Sequence, residues 1–363
     1  SDLHRRGSSV PSSEYDDAER ILAEPDSQYI EIGSVNVHYR VLRHDDDGDD
    51  SKDVPVILLH GFGGGVFSWR RVFPELSRVA KTVVAFDRPG FGLTSKPLQW
   101  EGVNPYSSEF AVNVSFQLMD YLNISKAVLV GHSTGSAIAC LCALRHPERI
   151  LGIVCIAQSE GLPKFIRSIL KTKLGGPIIM RLVRSEIGDV AIRRAWHDPD
   201  SVPPEVIQNH KQCLKVKNWG KALLEMARVS RSRILQESQF ADIVCPVLIL
   251  HGDDDKLVAF SESQRLFRKF ARSEIVRIED CGHIPHEERP ERFIVEVSAF
   301  LEKISSLVFH NALGVVGSPH DVQLQNPCDE PEDDDHHLID PSHPKEIDPK
   351  LFDVIIDPND DNQ

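Results

Sequence analysis

Val128-Leu-Val-Gly-His-Ser-Thr-Gly135 is the stretch on which the reading of this chain turns. Three apolar residues run into Gly131-His132-Ser133-Thr134-Gly135, and Ser136-Ala-Ile-Ala-Cys-Leu-Cys-Ala-Leu144 then has the composition of a helix. A strand that feeds a helix through so short a turn must bend sharply. Glycines two before and two after the serine remove the side chains that would clash in that bend. The pattern is G-x-S-x-G, which sets a serine at the tip of a strand-to-helix turn, and an exposed hydroxyl is expected there. A solvated serine in a glycine-bounded turn would leave the same trace, so the neighbouring sequence has to decide.

Outward from this point, apolar runs and helical patterns alternate. Residues 29–32 and 35–42 alternate apolar and polar positions around Gly33-Ser34, as a hairpin does. Val54-Pro-Val-Ile-Leu-Leu59 is continuously apolar, like a strand buried on both faces of a parallel sheet. It runs into His60-Gly-Phe-Gly-Gly-Gly65, followed by a helical stretch over 68–76. A strand at 82–86 ends in Asp87-Arg-Pro-Gly-Phe-Gly-Leu-Thr94, dense in turn residues. A helix over 108–122, the strand 126–130 and a strand over 150–156 follow. The pattern resumes with a strand over 246–250, a helix near 261–270, a strand over 274–278 and a helix over 290–304. Strand and helix in alternation imply an α/β fold with a mostly parallel sheet and helices on both faces.

Between residues 160 and 240 the strand pattern is missing. That block is helical in pattern and basic, with 15 Lys and Arg against 8 Asp and Glu, and it is read as an insertion over one edge of the sheet. The expected organisation is a flexible leader (1–26), a core (27–158 and 241–306), a helical cap (159–240) and an acidic, Pro-rich, disordered tail (307–363). The tail carries 14 Asp and Glu against 2 Lys over 308–363 and so accounts for most of the net charge of −14. Such a segment cannot bury enough apolar area to offset its ordering entropy. Its Asp333-Asp-Asp-His-His337 run and the charged loop 44–53 are read as solvated charge rather than as metal sites.

With 41% hydrophobic and 26% charged residues the composition is that of a globular enzyme, with no nucleic-acid character and no run long enough for a membrane span. Seven cysteines without CxxC pairs, several inside apolar runs, suggest reduced thiols in an intracellular compartment. That compartment is expected to be the cytoplasm, or a plastid or other organelle after removal of a transit peptide. The sequons at Asn113 and Asn123 are read as chance matches.

A serine hydroxyl becomes a useful nucleophile when a base takes its proton and a third group fixes the base. In open α/β sheets such groups gather at the carboxyl ends of strands. His251-Gly-Asp-Asp-Asp255 follows one predicted strand and Glu279-Asp-Cys-Gly-His283-Ile-Pro-His286 another. With Ser133 this gives the chain order Ser, Asp, His.

On these residues the chain resembles a serine-nucleophile, esterase- or lipase-like member of the α/β-hydrolase superfamily with a helical cap inserted after the sixth strand. The resemblance covers roughly residues 27–305. It rests on His60-Gly-Phe-Gly-Gly64, Asp87-Arg-Pro-Gly-Phe-Gly92, Gly131-His-Ser-Thr-Gly135, Gly252-Asp-Asp-Asp255 and Gly282-His-Ile-Pro285, in order and each at a strand end. It implies Ser133 as nucleophile, His283 as general base and Asp255 as the acid. Asp253 and Asp254 are close rivals for the acid and Glu160 a more distant one. It further implies an oxyanion hole from the backbone N–H groups of Phe62 and Thr134. His132, His251 and His286 are read as structural or solvated.

A serine at the elbow points to an acyl-enzyme, hence to an ester, thioester or activated amide, or to carbon–carbon cleavage. The expected function is that of a serine hydrolase acting on a carboxylic ester, with no metal or organic cofactor. A receptor retaining the fold, or an acyltransferase or thioesterase with the same triad, are the alternatives. The expected partner is a small apolar acyl substrate. Phe165, Ile169, Ile178-Ile-Met180, Leu182, Trp196, Trp219, Leu223-Leu224 and Met226 are pocket candidates from the cap, Phe165, Trp196, Trp219 and Met180 foremost, although such residues at helical spacing more often just pack the cap onto the core. The cap's basic excess fits an anionic substrate, a lipid surface or the acidic tail.

Overall fold

The computed structural model describes residues 21–43, 54–159, 168–172, 174–229 and 234–312. Phe165, Glu160, the charged loop 44–53 and the acidic tail beyond 312 lie outside the described residues.

Eight strands form one sheet: β1 (Gln28–Ile32), β2 (Val35–Arg43), β3 (Val56–Leu59), β4 (Thr82–Phe86), β5 (Ala127–His132), β6 (Ile150–Ile156), β7 (Val247–Gly252) and β8 (Ser273–Ile278). Their order is β1-β2-β4-β3-β5-β6-β7-β8. The first two strands pair antiparallel with each other, and β2 pairs antiparallel with β4; all remaining pairs are parallel. The continuous apolar runs are explained by burial on both faces. Ile57 and Leu59 of β3, Ala127 and Leu129 of β5, and Ile153 and Cys155 of β6 enter one apolar cluster. Their alternate neighbours Val56, Leu58, Val128, Val130, Val154 and Ile156 enter a second. Full burial of each such aliphatic side chain contributes roughly 1.5–3 kcal/mol.

Helices cover both faces: α1 (Phe73–Val79), α2 (Ser108–Tyr121), α3 (Thr134–Arg145), α4 (Gly175–Arg184), α5 (Glu186–Arg194), α6 (Pro204–Cys213), α7 (Trp219–Val229), α8 (Phe260–Phe267), α9 (Pro285–Glu288) and α10 (Pro290–Ala312). Helix α10 lies close on the sheet at Gly152 of β6, where an added Cβ would lie 3.0 Å from Phe300. The helix expected over 68–76 is in fact a 3-10 turn, Val66–Trp69, followed by α1. Pro74 explains the break, since it occupies the start of α1, where a missing N–H costs nothing. The last helix outruns its expected end at 304 and continues to Ala312.

Helices α4 to α7 lie between β6 and β7 in the chain. Among the described residues they contact loops that follow the carboxyl ends of strands β3 and β4. His210 lies 3.0 Å from the carbonyl of Gly63, and Asn218 donates to the carbonyl of Lys96 at 3.0 Å. An added Cβ on Gly90 would sit 3.0 Å from Met226. Their apolar faces meet these loops: Cys213 and Val216 pack with Phe67, Leu93 and Leu22, so the end of the expected leader is buried there. Among the described residues no helix is long and apolar enough to cross a membrane.

Candidate active site

Ser133 joins β5 to α3 with φ 52° and ψ −116°, a conformation that L side chains rarely adopt. The flanking glycines are required by contact. A Cβ on Gly131 would lie 2.5 Å from Ser136 Cα, and one on Gly135 only 2.0 Å from the carbonyl oxygen of Leu59. Ser133 N–H donates to the carbonyl of Ile156 at 2.8 Å, and the Ser136 hydroxyl donates to that of Gly131 at 2.7 Å. The turn is thereby held to β6. The serine is less open than its motif predicts, being only 7% exposed. The loop after β3 lies over it: a Cβ on Gly61 would come within 3.2 Å of Ser133 Cβ.

His283, between β8 and α9, places Nδ1 2.7 Å from Asp255 Oδ2. The other oxygen of Asp255 accepts from the N–H groups of Leu257 and Val258 at 2.8 and 2.9 Å. Burial pushes this carboxyl up, but the bond from His283, its charge and the two backbone donors prevail and hold it below the usual carboxylate value. Of the three candidate aspartates, Asp255 is the one that meets the ring. Asp254 instead pairs with Lys256 at 3.2 Å and His197 at 3.0 Å, and Asp253 accepts from Cys281 N–H.

His132 bridges the serine turn to this pair, with Nε2 2.9 Å from the carbonyl of His283 and its ring 4.9 Å from the His283 ring. Among the described residues no hydrogen bond joins the Ser133 hydroxyl to His283. His251 lies against Ser263 and the carbonyl of Val258, while His286 stacks on Trp69 at 4.3 Å. Both are buried, and burial lowers the pKa of each, that of His286 to about 3.

Thr134 opens α3, where the first N–H groups have no intrahelical acceptor. Phe62 lies in the turn after β3. Both residues line a cavity of about 100 Å³, together with Arg88, Phe91, Tyr106, Ile138 and Met226. A single water needs roughly 10–15 Å³ by this measure, so the space suits a short chain. Of the cap residues expected to line a pocket, Met226 is found at this wall. Trp219 and Met180 pack instead with Leu170, Leu223 and Ala227, and Trp196 with Val202, Val206 and Ile284. Large aromatic faces at helical spacing here hold helices together.

Sequence reasoning passed over the polar groups that join the two loops beside the cavity. His60 Nδ1 donates to the carbonyl of Gly61 at 2.7 Å, and its Nε2 accepts the N–H of Arg88 at 2.9 Å. Burial and the nearby Arg88 charge lower its pKa to about 3, so the ring is neutral and its tautomer is fixed by these two bonds. Asp87 is just as enclosed. Its Oδ1 accepts from Val66 N–H at 2.6 Å, and its Oδ2 receives Leu93 N–H at 2.6 Å and His38 Nδ1 at 2.7 Å. Burial opposes its ionisation, yet His38, His60 and the backbone donor bring the carboxyl to about 2. The turn motif Asp87-Arg-Pro-Gly-Phe-Gly92 was the available signal, but it does not say what its charged residues bond.

The mixed eight-stranded sheet with a serine at the β5 turn and an aspartate and histidine after β7 and β8 defines an α/β-hydrolase fold. The sequence model of the alpha/beta hydrolase family matches residues 56–297, and the chain belongs to that family. An uncharacterized hydrolase of Bacillus subtilis, YugF, is 26% identical over 277 residues, covering 75% of this chain and 96% of the relative. The 2-hydroxymuconate semialdehyde hydrolase of Pseudomonas sp. is 28% identical over 261 residues, covering 70% and 88%. Among solved structures, a thermophilic esterase from Thermogutta terrifontis superposes with a TM-score of 0.63 at 21% identity, over 77% of this chain and 99% of its own. The 2-hydroxy-6-oxo-6-phenylhexa-2,4-dienoate hydrolase of Rhodococcus sp. gives 0.61 at 22%, over 75% and 98%. These structural likenesses bear on the fold alone. The protein is a hydrolase of the α/β family.

Proposed function

We propose that this hydrolase cleaves a carboxylic ester through an acyl-enzyme, with Ser133 as nucleophile, His283 as general base and Asp255 as its orienting acid. The observation that carries the reading is the 2.7 Å contact of His283 Nδ1 with a buried carboxylate whose other oxygen is held by two backbone N–H groups. Asp255 fixes the ring so that Nδ1 carries the proton and Nε2 is left to accept one. Ser133 Oγ attacks the carbonyl carbon while its proton passes to His283 Nε2. The oxyanion formed is held by the N–H groups of Phe62 and Thr134, each worth about 3 kcal/mol in the transition state. Collapse expels the alcohol, which takes the proton from His283, and water repeats the sequence to release the acid. Serine–imidazole bonds that tighten on substrate binding are usual in unliganded hydrolases, so the missing Ser133–His283 bond is compatible with these roles.

The names of two relatives favour a second reading with the same groups. The 2-hydroxymuconate semialdehyde and 2-hydroxy-6-oxo-2,4-heptadienoate hydrolases are named for oxo-acid substrates, which would give the leaving group a carbon atom in place of oxygen. A peripheral lipid contact belongs to the same proposal. Leu174, Ile178 and Val190 are exposed on the basic insertion beside Arg181 and Arg184.

A fluorophosphonate probe tests the central reading. Labelling of Ser133, abolished by Ser133→Ala and strongly slowed by His283→Ala, is the expected result. An unlabelled native protein would leave a receptor-like binding role on the same fold. Labelling with turnover only in the presence of an alcohol or thiol acceptor would make the enzyme an acyltransferase.

A further inference from the structure

Arg88 is a buried cation that meets no carboxylate among the described residues. Its side chain is on the wall of the cavity that Phe62 and Thr134 also line, and the residue is 7% exposed. Nη2 donates to Thr134 Oγ1 at 2.8 Å, and the guanidinium lies 5.1 Å from the Phe91 ring. Among the described residues Nε has no acceptor and Nη1 makes no hydrogen bond. The adjacent carboxylate does not serve it, because Asp87 is taken up by His38, Val66 and Leu93. Glu225, on the helix that carries Met226 to the same cavity, is bound by Arg228 at 2.7 Å and Asn104 at 3.0 Å. A guanidinium taken out of water with no opposing charge is destabilising unless a bound anion offsets the loss.

The cavity wall also includes Ser107 and Ser108, which begin the 14-residue helix α2. The positive end of that helix, with N–H groups that lack intrahelical acceptors, faces the same space as Arg88. The Ser107 hydroxyl caps it by accepting Phe110 N–H at 3.1 Å. Tyr106 also lines the cavity, its hydroxyl donating to the Pro97 carbonyl at 2.7 Å, and Phe62, Phe91, Ile138, Met226 and Val229 supply an apolar wall. An apolar passage that begins at the oxyanion donors and carries a fixed positive charge matches a short acyl chain ending in an anion.

We propose that Arg88 is a specificity-determining residue that binds a carboxylate on the acyl part of the substrate. The substrate class is then an ester, or its oxo-acid counterpart, whose acyl group is a short dicarboxylic acid. This inference rests on the hydrolase reading above and narrows it. Arg88 would engage the carboxylate through Nη1 while Nη2 holds Thr134, and so would act on binding rather than on the bond-making step.

The test compares two esters of similar length with the native enzyme, the mono-p-nitrophenyl ester of glutaric acid and p-nitrophenyl pentanoate. The native protein should prefer the charged ester by tenfold or more in kcat/KM. Arg88→Met should lower kcat/KM for the charged ester at least tenfold more than for the neutral ester, chiefly through KM, and Arg88→Lys should keep part of the preference. No preference in the native enzyme, or an equal loss on both esters, overturns the proposal and leaves Arg88 a purely structural group. The native preference and the lysine variant decide the matter even if Arg88→Met fails to fold. If Ser133 proves unreactive, calorimetric binding of glutarate to the Ser133→Ala protein replaces turnover. Binding that is lost in the Ser133→Ala, Arg88→Met double variant then supports the anion site, and absent or unchanged binding overturns it.

Discussion

His283 and Asp255 are 28 residues apart in sequence and 2.7 Å apart in space, and only one oxygen of Asp255 is available to the ring. The other is fixed by Leu257 and Val258. Asp255→Asn therefore keeps the turn's shape but can present an N–H to a ring nitrogen that must carry the proton. Turnover of an activated ester should fall by about 10³–10⁴, with KM little changed. Stopped assays on the purified variant, with the unfolding midpoint as a control, measure this.

Ser133 holds its position at the expense of backbone strain. Its φ of 52° and ψ of −116° are accessible to glycine at little cost, and its side chain caps nothing. Ser133→Gly should abolish fluorophosphonate labelling and yet raise the unfolding free energy by about 1 kcal/mol. Ser133→Ala should also be unlabelled but gain no such stability. Denaturant melts of the two variants distinguish strain from mere loss of a hydroxyl.

The glycine two residues later should behave in the opposite way. A methyl group on Gly135 meets the backbone carbonyl of Leu59 at 2.0 Å, so β3 or α3 has to move. Gly135→Ala should cost roughly 3 kcal/mol and slow labelling of Ser133. Gly102, with φ of 73° and nothing within 4 Å, is the comparison; Gly102→Ala should cost only about 1 kcal/mol and leave labelling intact.

Asp87 predicts an acid-labile link. Its carboxyl falls from an ordinary 3.8 to about 2 in the folded protein. The corresponding stability, roughly 2 kcal/mol, is present above about pH 4 and is lost as pH falls toward 2. Asp87→Asn cannot accept the same set of donors and should destabilise the protein by about 3 kcal/mol at neutral pH. The gap between native and variant proteins should narrow as urea melts are repeated from pH 5 downward.

The central strands were legible because a strand buried on both faces must be apolar at every position, and Val56–Leu59 and Ile150–Ile156 are. The serine turn was legible because only glycine fits at 131 and 135. Choosing among Asp253, Asp254 and Asp255 required the turn itself, since three consecutive carboxylates point in three directions. Arg88 was not legible at all. Its significance lies in the absence of an anionic partner among the described residues, and that emerges only when the acceptors near it, Asp87 above all, are seen to be engaged elsewhere. The tryptophans were ambiguous for a related reason: at helical spacing, residues that line a cavity and residues that glue two helices have the same sequence pattern, and Trp196 and Trp219 fall in the second class.

Strands β6 and β7 are hydrogen-bonded neighbours, with Ile156 opposite Leu250 and Ala157 N–H donating to the Leu250 carbonyl at 2.9 Å. The long segment between them leaves at the carboxyl end of β6 and, because the pair is parallel, returns to the amino end of β7, yet the ladder between the two strands is closed without it. Lengthening such a loop costs only about 0.6 kcal/mol per doubling. Variation in this segment can therefore be absorbed without disturbing the ladder, as a lens is changed on a camera body.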